Sequence, residues 1–88
     1  MIKVAVAGAT GVVGTLLANY LTKENLELDL YASEASVGKT VNIKGKEFSL
    51  KPLVEINDTK YDYIFLAISA ENTKALKRSI TYPTKFLD

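Results

Sequence analysis

Apolar residues in this chain fall into short blocks separated by polar and glycine-containing stretches, and their period changes from block to block. Residues 2–7 put Ile2, Val4 and Val6 on one face and small Ala5 and Ala7 on the other, as in a buried strand whose small face leaves room for a helix. Val13, Leu16, Leu17, Tyr20 and Leu21 then recur at helical spacing. That stripe predicts an amphipathic helix packed on the sheet, ending near residues 23–25 with a basic residue in its last turn. Residues 28–32 predict a second strand, reached by a right-handed parallel crossover. Residues 41–44 and 47–50 alternate apolar and polar around Gly45 and Lys46, which predicts an antiparallel hairpin. Residues 52–60 suggest a connection with a short strand in it. Residues 61–68 are nearly all apolar and predict a strand buried on both faces, with Tyr61 and Tyr63 as half-buried packing residues.

Ser69 stands where it can cap a helix over residues 70–80, with Glu71 in the first turn and Arg78 late, both favourable to the helix dipole. Pro83 stops that helix, and residues 85–88 begin another extended segment. The succession predicts the α/β class: a Rossmann-like open, mainly parallel sheet with flanking helices and a β-hairpin insertion. Residues 1–88 form one domain, and a strand just beginning at the end suggests a segment of something longer.

Between the first strand and the first helix lies Gly8-Ala9-Thr10-Gly11-Val12-Val13-Gly14. In such a strand–turn–helix setting a glycine-rich turn presents backbone N–H groups to a pyrophosphate. Gly8 allows the sharp turn, Gly11 lets a phosphate approach without a Cβ in the way, and Gly14 lets helix and strand pack closely. The spacing is G-x-x-G-x-x-G, a relative of the usual dinucleotide fingerprint. Ser69, opening the later helix, falls at the same carboxyl edge of the sheet. Glu34 stands about 20 residues beyond Gly14, where an acid meets the ribose of NAD in the standard fold, and it reads equally well as a solvated loop carboxylate.

Composition narrows the chemistry. The 11 basic and 10 acidic residues leave a net charge of +1, too little to steer nucleic acid or an anionic membrane. The lysines at 39, 44, 46 and 51 alternate with apolar positions, as on a solvated strand face. There is no membrane-length apolar run, no signal-peptide layout and no cysteine, which points to the cytoplasm. With neither cysteine nor histidine, thiol nucleophiles, imidazole bases and most transition-metal sites are excluded, so no catalytic or metal-binding residue is expected here.

The glycine motif closely resembles the G-A-T-G-x-V-G opening of bacterial aspartate-semialdehyde dehydrogenases. The likeness continues in Ala32-Ser33-Glu34-Ala35-Ser36-Val37-Gly38-Lys39-Thr40-Val41, where that family tends to carry A-S-x-x-S-x-G-K and a hydrophobic residue. Gly45-Lys46-Glu47 is similar to its G-K-E hairpin, and Lys85-Phe86-Leu87-Asp88 to the strand that runs into its Asn-Ser-Ser turn. The resemblance spans nearly the whole chain and only the start of a protein several times longer. It implies an NADP-binding segment (NAD being possible) of an enzyme that makes aspartate semialdehyde for lysine, threonine and methionine synthesis. In such an enzyme a later cysteine and histidine do the chemistry.

Carried over by position, Thr10, Gly11, Val12 and Val13 wrap the pyrophosphate. Ser36 meets the adenosine ribose and its 2′-phosphate, and Gly8, Ser33 and Ser69 complete the expected cofactor-binding set. The resemblance also implies a homo-oligomeric parent that takes its small-molecule substrate only at full length. Many members have arginine at the position of Ala35, and many a Ser-Ala-Gly-Gly turn where this chain has Ala67-Ile68-Ser69-Ala70.

Two other readings fit parts of the pattern. N-acetyl-γ-glutamyl-phosphate reductases share the fold, the chemistry and a strand like Phe65-Leu66-Ala67-Ile68, but tend to place an aromatic residue at Val12. A non-catalytic NAD(P)-sensing module explains the missing cysteine and histidine but not the Ala-Ser-x-x-Ser-x-Gly-Lys segment.

Overall fold

The computed structural model describes residues 1–87, the Glu34 side chain excepted. Strand β1 (Lys3–Ala7) leads through the glycine turn into helix α1 (Val12–Leu21), then β2 (Glu27–Ala32) and a 3₁₀ turn at Glu34–Ser36. β3 (Thr40–Ile43) and β4 (Lys46–Pro52) follow, then a 3₁₀ helix (Leu53–Asp58), β5 (Tyr63–Leu66), α2 (Ala70–Ser79) and β6 (Lys85–Leu87). The strands form one sheet in the order β3-β4-β2-β1-β5-β6, in which only the β3–β4 pairing is antiparallel. The hairpin is therefore part of the sheet: β4 pairs parallel with β2, Leu30 opposite Leu50. Its turn is Lys44-Gly45, both at positive φ (53° and 85°), which matches the twist of a two-residue hairpin connection.

The alternation in β1 divides two cores. Val4 and Val6 pack with Ala18, Leu21, Leu28, Leu30, Phe48 and Leu50, so α1 covers the large face of β1. Ala5 and Ala7 lie under Tyr31, Ile56, Tyr61, Ile64, Leu66 and Leu76. The room left by the small face takes Leu76 of α2, as the sequence suggested, together with Ile56 of the 3₁₀ helix and two tyrosines, Tyr31 of β2 and Tyr61 just before β5.

Helix α1 departs furthest from expectation. Its buried residues are Gly14, Ala18 and Leu21, whereas Val13 (61%), Leu16 (65%) and Tyr20 (66%) are exposed and Leu17 is half-buried. The phase of the helix is set by backbone contact. A Cβ on Gly14 would stand 2.0 Å from the Gly8 carbonyl oxygen, so only glycine fits between helix and turn. With Gly14 inward, positions 18 and 21 follow it and the larger residues rotate outward. The helix also ends at Leu21, capped by Thr22, leaving Lys23 beyond its last turn.

Three further stretches differ. Residues 53–58 are 3₁₀ helix with Ile56 buried, and no strand forms between β4 and β5. The strand expected over residues 61–68 contracts to Tyr63–Leu66, with Ile64 and Leu66 buried and Tyr63 and Phe65 partly covered. Tyr61 is buried rather than half-buried. The expected cap at Ser69 is present: its Oγ accepts from the Asn72 N–H at 3.3 Å, and Glu71 and Arg78 occupy the first and last turns of α2. β6 realises the extended segment at residues 85–87, and Asp88 lies outside the described residues.

Tyr61 gives the second core an alkaline limit. Burial foremost, then hydrogen bonds to the Asp29 carboxylate and to Tyr31, pushes its hydroxyl far above the ordinary phenol value of 10, and burial raises Tyr31 too. The folded chain keeps these protons, while the unfolded chain releases them above about pH 10. Stability is therefore full below pH 10 and falls as pH rises past it, by up to about 1.4 kcal/mol per pH unit for Tyr61, with Tyr31 adding in the same direction. Urea midpoints measured from pH 8 to 11 should show this drop, and Tyr61→Phe should make it shallower.

Candidate dinucleotide site

The carboxyl ends of β2, β1 and β5 lie side by side, and three turns leave the sheet there: residues 33–36, residues 8–14, and the cap of α2. All eight residues expected from the sequence, Gly8, Thr10, Gly11, Val12, Val13, Ser33, Ser36 and Ser69, stand on this edge. β1 and β5 flank the point where strand order reverses, the usual place for a ligand in such a sheet. The crossing is tight. Gly8, at φ +87°, leaves no space for a Cβ, which would come within 2.4 Å of the Ala67 carbonyl oxygen.

Hydrogen-bond accounting shows which donors of the turn are spent. The N–H groups of Gly8 and Ala9 both donate to the Tyr31 carbonyl at 3.0 Å, and the Gly11 N–H donates to the Gly8 carbonyl at 3.2 Å. The Thr15 N–H donates to the Gly11 carbonyl at 2.9 Å, and its hydroxyl to the Ala9 carbonyl at 3.2 Å. No acceptor among the described residues takes the N–H of Thr10, Val12, Val13 or Gly14. Three of these open the first turn of α1, where the helix dipole adds positive potential.

The two helix starts on this edge differ in kind. α2 has the Ser69 cap and Glu71, so its N-terminal charge is already answered. α1 begins at Gly11, with no side-chain cap and no acid in its first turn. An anion is thus drawn to α1. Beside it lie a hollow of about 310 Å³ lined by Thr10, Gly11, Val12, Thr15 and Leu16, and one of about 420 Å³ between the turn and β3.

Gly11 adds an independent sign. Its backbone is ordinary (φ −76°, ψ 170°), and a Cβ there would meet only the Gly8 carbonyl oxygen at 3.6 Å. Gly8, Gly38 and Gly45 have positive φ and Gly14 is sterically locked. Neither conformation nor packing asks for glycine at position 11, so the space beside it is open to a ligand.

The turn after β2 is partly spent. The Ser36 N–H donates to the Ser33 carbonyl at 2.9 Å and the Gly38 N–H to the Leu50 carbonyl at 3.3 Å. Of residues 35–38, only Ala35 and Val37 keep N–H groups without an acceptor among the described residues. Ser33 and Lys39 are exposed and Ser36 half-buried, while the Glu34 side chain lies outside the described residues. Two contributors escape sequence reasoning: the carbonyls of Tyr31 and Ala67 shape the turn, and any residue type supplies a carbonyl.

The family model for the semialdehyde dehydrogenase NAD-binding domain matches residues 3–84. This chain belongs to that family. The aspartate-semialdehyde dehydrogenase of Aquifex aeolicus is 44% identical over 61 residues, covering 66% of this chain and 18% of that protein. The Synechocystis enzyme of the same name is 34% identical over 80 residues, covering 88% and 23%. Among solved structures, a probable aspartate-semialdehyde dehydrogenase from Pseudomonas aeruginosa superposes with a TM-score of 0.78 at 29% identity, over 88% of this chain and 24% of that one. The chain thus spans about a fifth to a quarter of the length of these relatives. As a member of the semialdehyde dehydrogenase NAD-binding family it has a dinucleotide as its cofactor class. No described helix is long and apolar enough to cross a membrane.

Proposed function

We propose that residues 1–88 form the NADP-binding domain of a cytoplasmic, homo-oligomeric aspartate-semialdehyde dehydrogenase, an enzyme that reduces β-aspartyl phosphate to the semialdehyde. The uncapped start of α1, with four open N–H donors beside a glycine that the fold itself does not require, carries the reading. The N–H groups of Thr10, Val12 and Val13 hold the pyrophosphate, and Gly11 admits it. Ser33 and Ser36 face the adenosine ribose. The Ser69 hydroxyl, whose oxygen caps α2, keeps its proton to donate toward the nicotinamide end. The bound cofactor supplies hydride. The chain has no thiol or imidazole to form and resolve an acyl intermediate, so alone it turns over no aldehyde.

The preference for NADP rests on the turn after β2. A 2′-phosphate carries about −1.5 to −2 charges near pH 7 and needs donors. This turn supplies the Ser36 hydroxyl, the N–H groups of Ala35 and Val37, and Lys39 close by in sequence. Competitive titration is expected to show NADP bound more tightly than NAD. If NAD binds equally well and Glu34→Ala improves only NADP, the NADP assignment is wrong. If neither dinucleotide binds, the reading of the glycine turn fails with it.

A further inference from the structure

The carbonyl that holds the glycine turn belongs to a residue whose side chain is tied into the opposite layer. Tyr31 accepts the N–H groups of Gly8 and Ala9 on its backbone oxygen. Its hydroxyl lies 2.5 Å from that of Tyr61, which donates to Asp29 Oδ2 at 2.6 Å. A carboxylate only accepts, so the Tyr61 hydroxyl donates its hydrogen bond to Asp29 and the Tyr31 hydroxyl donates to Tyr61. The Lys51 ammonium stands 3.4 Å from Asp29 Oδ1 and 6.0 Å from the centre of the Tyr31 ring. The two tyrosine rings meet edge to face at 88°, and the Tyr61 N–H is held by the Tyr82 hydroxyl at 3.1 Å.

We propose that Tyr61 and Asp29 are positioning residues for the dinucleotide site, acting through Tyr31 on the height and angle of the glycine turn. The inference rests on the reading of that turn as the pyrophosphate cradle. Phenylalanines of similar volume would fill the same space without desolvating hydroxyls. What the chain of hydroxyls adds is a single rotamer for Tyr31 and a fixed place for its backbone. Tyr31 is the last but one residue of β2, opposite Ala7 on one side and Lys51 on the other, so its side chain bears on the place where the sheet ends and the glycine turn begins. Two turn donors depend on that one oxygen, so a displacement of a few tenths of an ångström at Tyr31 loosens both together. Loosened, they let the N–H groups of Thr10, Val12 and Val13 drift from a common focus.

The test needs no ligand in its first arm. Amide hydrogen exchange is followed in wild type, in Tyr61→Phe, in Asp29→Asn, and in Phe48→Leu, which loosens the other core. Tyr61→Phe is expected to speed exchange at Gly8 and Ala9 at least fivefold. Phe48→Leu should leave those two amides unchanged while speeding Val6. Asp29→Asn keeps an acceptor for Tyr61 and should stay within twofold of wild type. In the second arm, Tyr61→Phe should weaken dinucleotide binding at least fivefold, and Phe48→Leu should not. Where Tyr61→Phe fails to fold, Tyr31→Phe, which loses only the terminal bond, takes its place. Wild-type exchange at Gly8 and Ala9, equal acceleration in Phe48→Leu, or unchanged affinity in Tyr61→Phe would each overturn the proposal. Failure of wild type to bind any dinucleotide would instead strike the cofactor reading, since the exchange arm is independent of it.

Discussion

Gly14→Ala is expected to lower the urea midpoint sharply. The added Cβ runs into the Gly8–Ala9 peptide, at 2.0 Å from the Gly8 carbonyl oxygen, 2.8 Å from its carbon and 2.9 Å from Ala9 Cα. No rotamer relieves such a contact, so α1 must lift away from β1 and part Ala18 and Leu21 from Val4 and Val6. Overpacking of this kind costs about 3 kcal/mol, and alanine returns about 1 kcal/mol of helix propensity. The net loss of about 2 kcal/mol is a large share of the roughly 4–13 kcal/mol expected for a domain of this size. Gly14→Val, with more bulk and a β-branch, should lose more still. An unchanged midpoint for Gly14→Ala would mean that helix and turn are not in contact.

Gly11→Val should do the opposite: keep the fold and lose the ligand. Its Cβ lies at ordinary contact distance from the one atom it meets, and its φ of −76° suits any residue. The structural cost is confined to a poorer helix start, within about 1 kcal/mol. A branched side chain beside the open N–H groups either occupies the phosphate position or holds it off. A pyrophosphate kept from those donors forfeits charge-assisted bonds, and a loss of about 3 kcal/mol is a weakening of roughly 100-fold. Isothermal titration with dinucleotide, alongside circular dichroism, separates the outcomes. Wild-type affinity in a folded Gly11→Val chain would make the turn a structural element only. The two glycines stand three residues apart, one required by the protein and the other by what it binds.

Much of this was legible in the sequence because it is local. Strand alternation, the Ser69 cap and the glycine turn each depend on a few consecutive residues, and each appears where the pattern placed it. The core face of α1 was misjudged because hydrophobicity did not set its rotation. The smallest residue did, through backbone contact, and Val13, Leu16 and Tyr20 were carried outward. The 3₁₀ helix at Leu53–Asp58 has too short a repeat to register against either regular period. The Tyr31–Tyr61–Asp29 chain joins positions about 30 residues apart, and no local pattern announces that pairing.

The sheet order bears on how the site comes into being during folding. The β3–β4 hairpin closes over a two-residue turn and can form on its own timescale. β1 must find β5, pairing Val4 with Tyr63 across most of the chain, and such non-local contacts are the slow ones. Gly8 is pinned between the Tyr31 carbonyl of β2 and the Ala67 carbonyl after β5, so the turn has its final shape only when that late pairing is made. A partly folded chain therefore presents no cradle. Dinucleotide added during refolding is captured only at the last step: it leaves the rate of assembly unchanged and slows the reverse reaction.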